Sequence, residues 1–200
     1  MEFITADKLA DAADAHRQIS RVFVDGFYWQ LKTLEKDKTL LYAAFDGVFD
    51  LAKFHVAVAD GEIAAMFGIH DGVSKPIAIS ASDLRKTLGA ITGRIAYWSL
   101  NRYTVNKVFP VDIPPNYGVI DFVAANPAFA GKGIAKALMA NAMEKSAYRG
   151  FILEVLGNNE NAIKLYEKLG FVEVKRVRAP LLAGSKFVLY MKYDKPEETA

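Results

Sequence analysis

The chain has no cysteine among its 200 residues. That excludes disulfide staples, thiolate metal sites and a cysteine nucleophile, and it fits a reducing compartment. Histidine is scarce, with three in all, and the three are not closely spaced, so no metal site is predicted. An excess of one charge is missing as well. The 25 basic and 23 acidic residues leave a formal +2, too balanced for a surface built to hold nucleic acid. No stretch approaches the roughly 18 uncharged apolar residues of a spanning helix. The start, Met1-Glu2-Phe3-Ile4-Thr5-Ala6-Asp7, has neither the basic nor the apolar part of a secretion signal. These absences together predict a cytoplasmic protein with no metal, no membrane and no nucleic-acid partner.

What is there is ordinary globular composition, 52% apolar and 24% charged. At about 150 residues per domain, residues 1–195 are expected to form a single domain, with a frayed tail over 196–200. Charge is unevenly spread. Residues 1–70 hold 11 acids and 7 bases, residues 71–116 hold 3 and 6, and residues 117–200 hold 9 and 12. An anionic ligand therefore favours the later two thirds.

The first 50 residues read as helical. Thr5 is the expected N-cap before Lys8–Ala13, and a second helical piece spans about 35 to 51. Residues 54–70 read as a hairpin turning at Asp60-Gly61. In 72–116, an enlarged segment of unclear role, Ser82 or Asp83 is expected to cap a short helix, and another helical piece runs over 94–100. From Tyr117 the pattern sharpens. It predicts a strand over 117–125, a helix over 134–148 and a strand over 151–155. A helix over 162–169 follows, started by Asn159 and closed by Gly170, and then a final strand pair over 171–177 and 186–193.

The loop between the strand at 117–125 and the following helix carries Gly131-Lys132-Gly133. Unpaired N–H groups and the dipole at a helix N-terminus attract phosphate, and glycine lets a ligand approach the backbone. Two common phosphate loops fail here. No Ser or Thr follows Lys132, as a Walker loop requires, and Lys136 stands where a dinucleotide fingerprint has Gly or Ala. Pro127-Ala128-Phe129-Ala130-Gly131-Lys132-Gly133-Ile134-Ala135 instead resembles the acetyl-CoA loop of the GNAT N-acetyltransferase superfamily, with Gly133 and Ala135 in register. Ala130 departs from it, standing where Gln or Arg is usual. Downstream, Asn159-Glu160-Asn161-Ala162-Ile163-Lys164-Leu165-Tyr166-Glu167-Lys168-Leu169-Gly170-Phe171 resembles the family's other signature segment.

The resemblance implies an α/β, GNAT-like acyl-CoA-binding fold: a mixed, mostly antiparallel central sheet flanked by helices. It implies acetyl-CoA as co-substrate. Backbone N–H groups of Ala130, Gly131, Lys132, Gly133, Ile134 and Ala135 would hold its pyrophosphate. The strand residues Val123, Ala124 and Ala125 would pair with its pantetheine arm, and Asn159 would touch that arm. It implies Tyr166 as the general acid for the departing thiolate and Asp121 as the carboxylate that meets the acceptor amine. Plainer roles stay open: Asn159 as a helix cap, Tyr166 as a core aromatic, Asp121 as a charge on the solvent side of the sheet. Glu154 is a lesser carboxylate candidate, and His55 and His70 read as ordinary strand residues. Phe27-Tyr28-Trp29, Tyr97-Trp98 and Tyr103 read as core or as walls of an acceptor pocket.

The implied activity is transfer of an acetyl group to a primary amine of a small-molecule or peptide acceptor by direct attack, in a monomer or homodimer. A non-catalytic acyl-CoA-binding or regulatory module is the alternative, with Ala130 its main support.

Overall fold

The computed structural model describes residues 1–180 and 184–196. Of the tail expected to fray, residues 197–200 lie outside the described residues, as does the side chain of Tyr103. In chain order the elements are β1 (Glu2–Thr5), α1 (Ala12–Leu31), α2 (Lys38–Phe45), β2 (Phe54–Ala59) and β3 (Glu62–His70). Next come α3 (Ala81–Leu88), α4 (Ala90–Leu100), β4 (Tyr117–Ala125) and α5 (Ile134–Lys145). The chain then forms β5 (Gly150–Leu156), α6 (Glu160–Lys168), β6 (Val172–Arg178) and β7 (Phe187–Asp194). The strands form one sheet in the order β1-β2-β3-β4-β5-β7-β6. Among the described residues only β4 and β5 pair in parallel; the other neighbouring pairs are antiparallel. Among the described residues, no helix is long and apolar enough to cross a membrane.

The start of the chain departs from the helical expectation. Glu2–Thr5 pairs with β2 as an edge strand, and Thr5 makes no side-chain cap. Asp11 caps α1 instead, its carboxylate accepting from the N–H groups of Ala13 and Asp14. Likewise α3 is capped by Ser80 rather than by Ser82 or Asp83. The Asp60-Gly61 turn forms as expected, with φ of 53° and 81°, the backbone that a two-residue hairpin needs.

Each face of the sheet carries a core. One joins α1–α4 to the sheet and is rich in phenylalanine. The Phe23 ring lies 4.7 Å from Phe45, 5.2 Å from Phe49 and 5.7 Å from Phe122. The other packs α5 and α6 over Ile120, Phe151, Leu153 and Met191. Each such side chain, once buried, stabilises the fold by about 1.5–3 kcal/mol. The enlarged segment 72–116 is a helical hairpin followed by a strap. The helices α3 and α4 pack so closely that a Cβ on Gly93 would fall 2.4 Å from the Leu84 carbonyl oxygen. A π-helical turn at Asn101–Val105 then leads into the strap, which returns to β4.

Candidate active site

The parallel ladder of β4 and β5 stops early. It runs from Tyr117↔Gly150 to Ile120↔Leu153 and ends, although β4 continues to Ala125 and β5 to Leu156. Beyond that point β4 still pairs with β3 and β5 still pairs with β7. The sheet therefore opens from within. Backbone N–H and C=O groups inside a sheet need partners, and along 121–125 the β5-facing groups of β4 are left for an extended ligand.

A bulge sits where the strands part. Between Gly68↔Asp121 and Met66↔Ala124, β4 carries one residue more than β3, and Phe122 adopts φ 58°. A bulky residue in this region is strained by roughly 1–3 kcal/mol. The Phe122 ring compensates by stacking on Phe54 at 6.2 Å within the first core. A bulge bends and twists its strand, which turns β4 away from β5.

The glycine loop lies at the open end. Asn126 accepts from the Ala128 N–H at 3.0 Å and so sets a 3-10 turn over Pro127–Phe129. Gly131 and Gly133 follow at φ 76° and 72°, and a Cβ at either would meet nothing within 4 Å. Side chains there are excluded by backbone conformation, not by space. No side chain caps α5, so the N–H groups at its start keep their donors for an anion. The Ala130 N–H is already committed, donating to the Pro127 carbonyl at 3.2 Å. Lys132 folds back, with Nζ 5.1 Å from the Phe129 ring centroid. Asn159 caps α6 through Oδ1, which accepts from the Ala162 N–H at 3.2 Å; its amide group stays available.

The other side of the opening is built from charge. Ile69, Ile120, Leu153, Leu189 and Met191 face the α5–α6 core. Alternation along their strands therefore turns His70, Asp121, Glu154 and Tyr190 to the opposite face. Asp121 and Glu154 are the first residues beyond the last β4–β5 pair. Between them lies the ammonium of Lys107, from the strap, 3.4 Å from Asp121 Oδ1 and 3.1 Å from Glu154 Oε1. His70 Nε2 lies 3.0 Å from Asp121 Oδ2, while its Nδ1 accepts from the Gly72 N–H at 3.0 Å. That backbone bond leaves Nδ1 without a proton, so Nε2 carries one and donates to Asp121.

Burial pushes the Asp121 carboxyl up, but the Lys107 charge and the His70 hydrogen bond outweigh it and hold the group at about 2. Burial works against the Lys107 charge as well, yet its two carboxylate partners raise it above its ordinary value. Burial first, then the nearby Glu154 charge, pushes the Tyr190 hydroxyl well above the ordinary tyrosine range. Tyr166 is buried on α6, its ring 6.0 Å from Phe171. Burial first, then the Asp121 charge, pushes its hydroxyl well above the ordinary tyrosine range.

The structure thus brings Asp121 and Glu154 to one opening, with the strand 123–125 and the glycine loop beside them, while Tyr166 is buried in the α5–α6 core on the other face of the sheet. Sequence reasoning missed His70, Lys107 and Tyr190. His70 and Tyr190 could be found only once their strands are paired, and Lys107 belongs to a segment with no motif. His55 points elsewhere, stacked on Phe67 at 5.4 Å. Phe27 belongs to the first core, while Trp29 and Trp98 are surface residues.

A sequence profile of the acetyltransferase (GNAT) family matches residues 16–171. No curated protein matches the chain. Among solved structures, a GNAT-family acetyltransferase from Bacillus cereus ATCC 10987 aligns with TM-score 0.57 at 10% identity, covering 98% of this chain and 97% of that one. An N-acetyltransferase from Staphylococcus aureus Mu50 aligns with TM-score 0.56 at 18% identity, over 96% and 100%. At such identities the structures speak for the fold: an α/β architecture with a seven-stranded, mostly antiparallel sheet flanked by helices. With a profile match across most of its length and this fold around an opened β4–β5 pair, the chain belongs to the GNAT acetyltransferase family.

Proposed function

We propose that the protein transfers an acetyl group from acetyl-CoA to a primary amine. The observation that carries this reading is the parting of β4 and β5 after Ile120↔Leu153, beside a glycine-opened and uncapped start of α5. The chain fits the co-substrate on both counts. The N–H groups opening α5 suit a pyrophosphate, and the free edge of 123–125 suits an extended amide arm. Asn159 has an amide group to spare for the same arm. Ala130 brings no side-chain donor, so the pyrophosphate rests mainly on backbone, with the Lys132 charge nearby.

Bound acetyl-CoA supplies an activated thioester carbonyl. The chain's residues then divide the proton work. Tyr166 keeps its proton throughout the neutral range and offers it as a hydrogen bond to the departing sulfur. A thiol titrates near 8.5, so full transfer from Tyr166 is uphill and the hydroxyl acts mainly by stabilising charge. Asp121, ionised far below neutral pH, is a poor proton acceptor. It orients Lys107 and His70, and the amine proton leaves to water. Glu154, with 33% of its side chain exposed, is the carboxylate an acceptor reaches from solvent.

A calorimetric titration with acetyl-CoA, with ATP and NAD as controls and Gly133→Asp alongside, tests the reading. Binding of acetyl-CoA alone, weakened about 100-fold in the variant, supports it; no binding by wild type at millimolar ligand overturns it. The buried Lys107 ammonium between Asp121 and Glu154 favours a second reading, an acyl-CoA-binding module without turnover. That module would bind acetyl-CoA, release no thiol on addition of amines, and be indifferent to Tyr166→Phe.

A further inference from the structure

The Lys107 ammonium is held as a free alkylammonium ligand would be. Two carboxylates receive it, and the Phe109 ring centroid lies 4.2 Å from Nζ. An ammonium has three donors and no acceptor. A hydrogen bond to Asp121, an ion pair with Glu154 and an aromatic face surround it here. Only 12% of the side chain is exposed, so water contributes little.

The strap has other anchors. Lys175 Nζ donates to the Pro110 carbonyl at 2.6 Å, and Phe109 packs edge-on against Tyr190 at 6.0 Å. These anchors hold the strap without Lys107, so displacing its ammonium asks only for rotation of its own stem. Its position, at the first residues past the β4–β5 pairing, is where an acceptor would meet the thioester.

Resting on the acyl-transfer reading, we propose that Asp121, Glu154 and the Phe109 ring form a binding site for a primary alkylammonium ion, which Lys107 fills as a tethered occupant that the acceptor displaces. The exchange replaces one buried positive charge by another, so neither carboxylate is left unpaired. It also describes the acceptor: a primary amine on an unbranched carbon chain, slim enough to follow the path of a lysine stem.

The test removes the occupant and returns it as a small molecule. Lys107→Ala deletes what n-propylammonium can restore. Melting curves and calorimetry are run with n-propylammonium chloride and with tetramethylammonium chloride, a cation without N–H donors. Saturable stabilisation of Lys107→Ala by n-propylammonium alone is expected. Wild type, where Lys107 competes for the site, should respond only at far higher concentration, and Lys107→Met, with its stem still in place, should not respond. No response, an equal response in wild type, or an equal response to tetramethylammonium overturns the site. If Lys107→Ala does not fold, Lys107→Ala/Glu154→Gln leaves one carboxylate for one ammonium and carries the same test. With acetyl-CoA added, the bound ammonium first gives one proton to water on the exposed Glu154 side and the resulting amine attacks the thioester, so Lys107→Ala should acetylate n-propylamine at least tenfold faster than wild type, and equal rates overturn displacement. Failure of wild type to bind acetyl-CoA strikes the acyl-transfer reading instead, while the ammonium titration still judges the site.

Discussion

The two sides of the β4–β5 opening are made of different materials. The side toward α5 is main chain: two glycines at positive φ, uncapped N–H groups and a strand edge. The opposite side is side chain: Asp121, Glu154, Lys107 and His70, tied by short polar contacts in a mostly dry setting. Main chain presents the same groups whatever residues carry it, so it suits a ligand common to a whole family. Ionised side chains can be exchanged one by one, so that side suits an acceptor particular to this protein. The Ala130 substitution is tolerable on the first side because a backbone cradle does not depend on it. A comparable change at Lys107 is not.

The contrast can be broken at either side. Lys107→Met strands two carboxylates around an apolar tip, and breaking a buried pair in this way costs about 3–5 kcal/mol. A chain of this size should lose roughly 6–12 °C in melting temperature, read by calorimetry at pH 7. Gly133→Asp attacks the main-chain side. A side chain at φ 72° and a negative charge facing the pyrophosphate should weaken acetyl-CoA binding by about 100-fold. The Lys107 network should stay intact, so melting without ligand changes far less.

Asp121 sharpens the comparison through pH. Its folded value, about 2, lies below its ordinary 3.8. The pairing therefore adds stability above about pH 4 and loses it as pH falls toward 2, on the order of 2 kcal/mol in all. Urea unfolding across that window should show the loss in wild type and a flatter line in Asp121→Asn. Tyr166→Phe should lower turnover about 10- to 100-fold and leave acetyl-CoA affinity unchanged; equal turnover would favour the binding module. Lys132→Ala is the smallest. With its ammonium over Phe129, its loss should cost acetyl-CoA affinity only a few-fold, and less at high salt.

The same contrast governs what the sequence could disclose. The helix at 134–145, its flanking strands and the Asn159–Phe171 segment were legible because their signals are local: glycines at a helix start, a cap, an apolar period. The Asp60-Gly61 hairpin was legible for the same reason. Glu2–Thr5 was not, because a four-residue edge strand exists only through its pairing with β2, and Thr5 offered a competing cap signal. Asp121 was legible as a carboxylate beside the loop, but its state was not. Lys107 lies 14 residues upstream on an irregular strap, and no periodicity ties it to β4. His70 and Tyr190 reach the site by strand register, which is set by the whole sheet.

Gly26 lies in the middle of α1, on the far side of β4 from the α5 loop. A Cβ there would fall 2.8 Å from the Ala124 Cβ, so helix and strand touch at a glycine and an alanine. Ala124 lies on the stretch of β4 that borders the opening. A single methyl group added at residue 26 must push the helix back or move the strand, and the helix is wedged by the phenylalanine core behind it. The gauge of the cleft is therefore set from outside it. Anyone wishing to refit this protein for a bulkier acyl group would have reason to begin in α1, at a residue that no substrate touches.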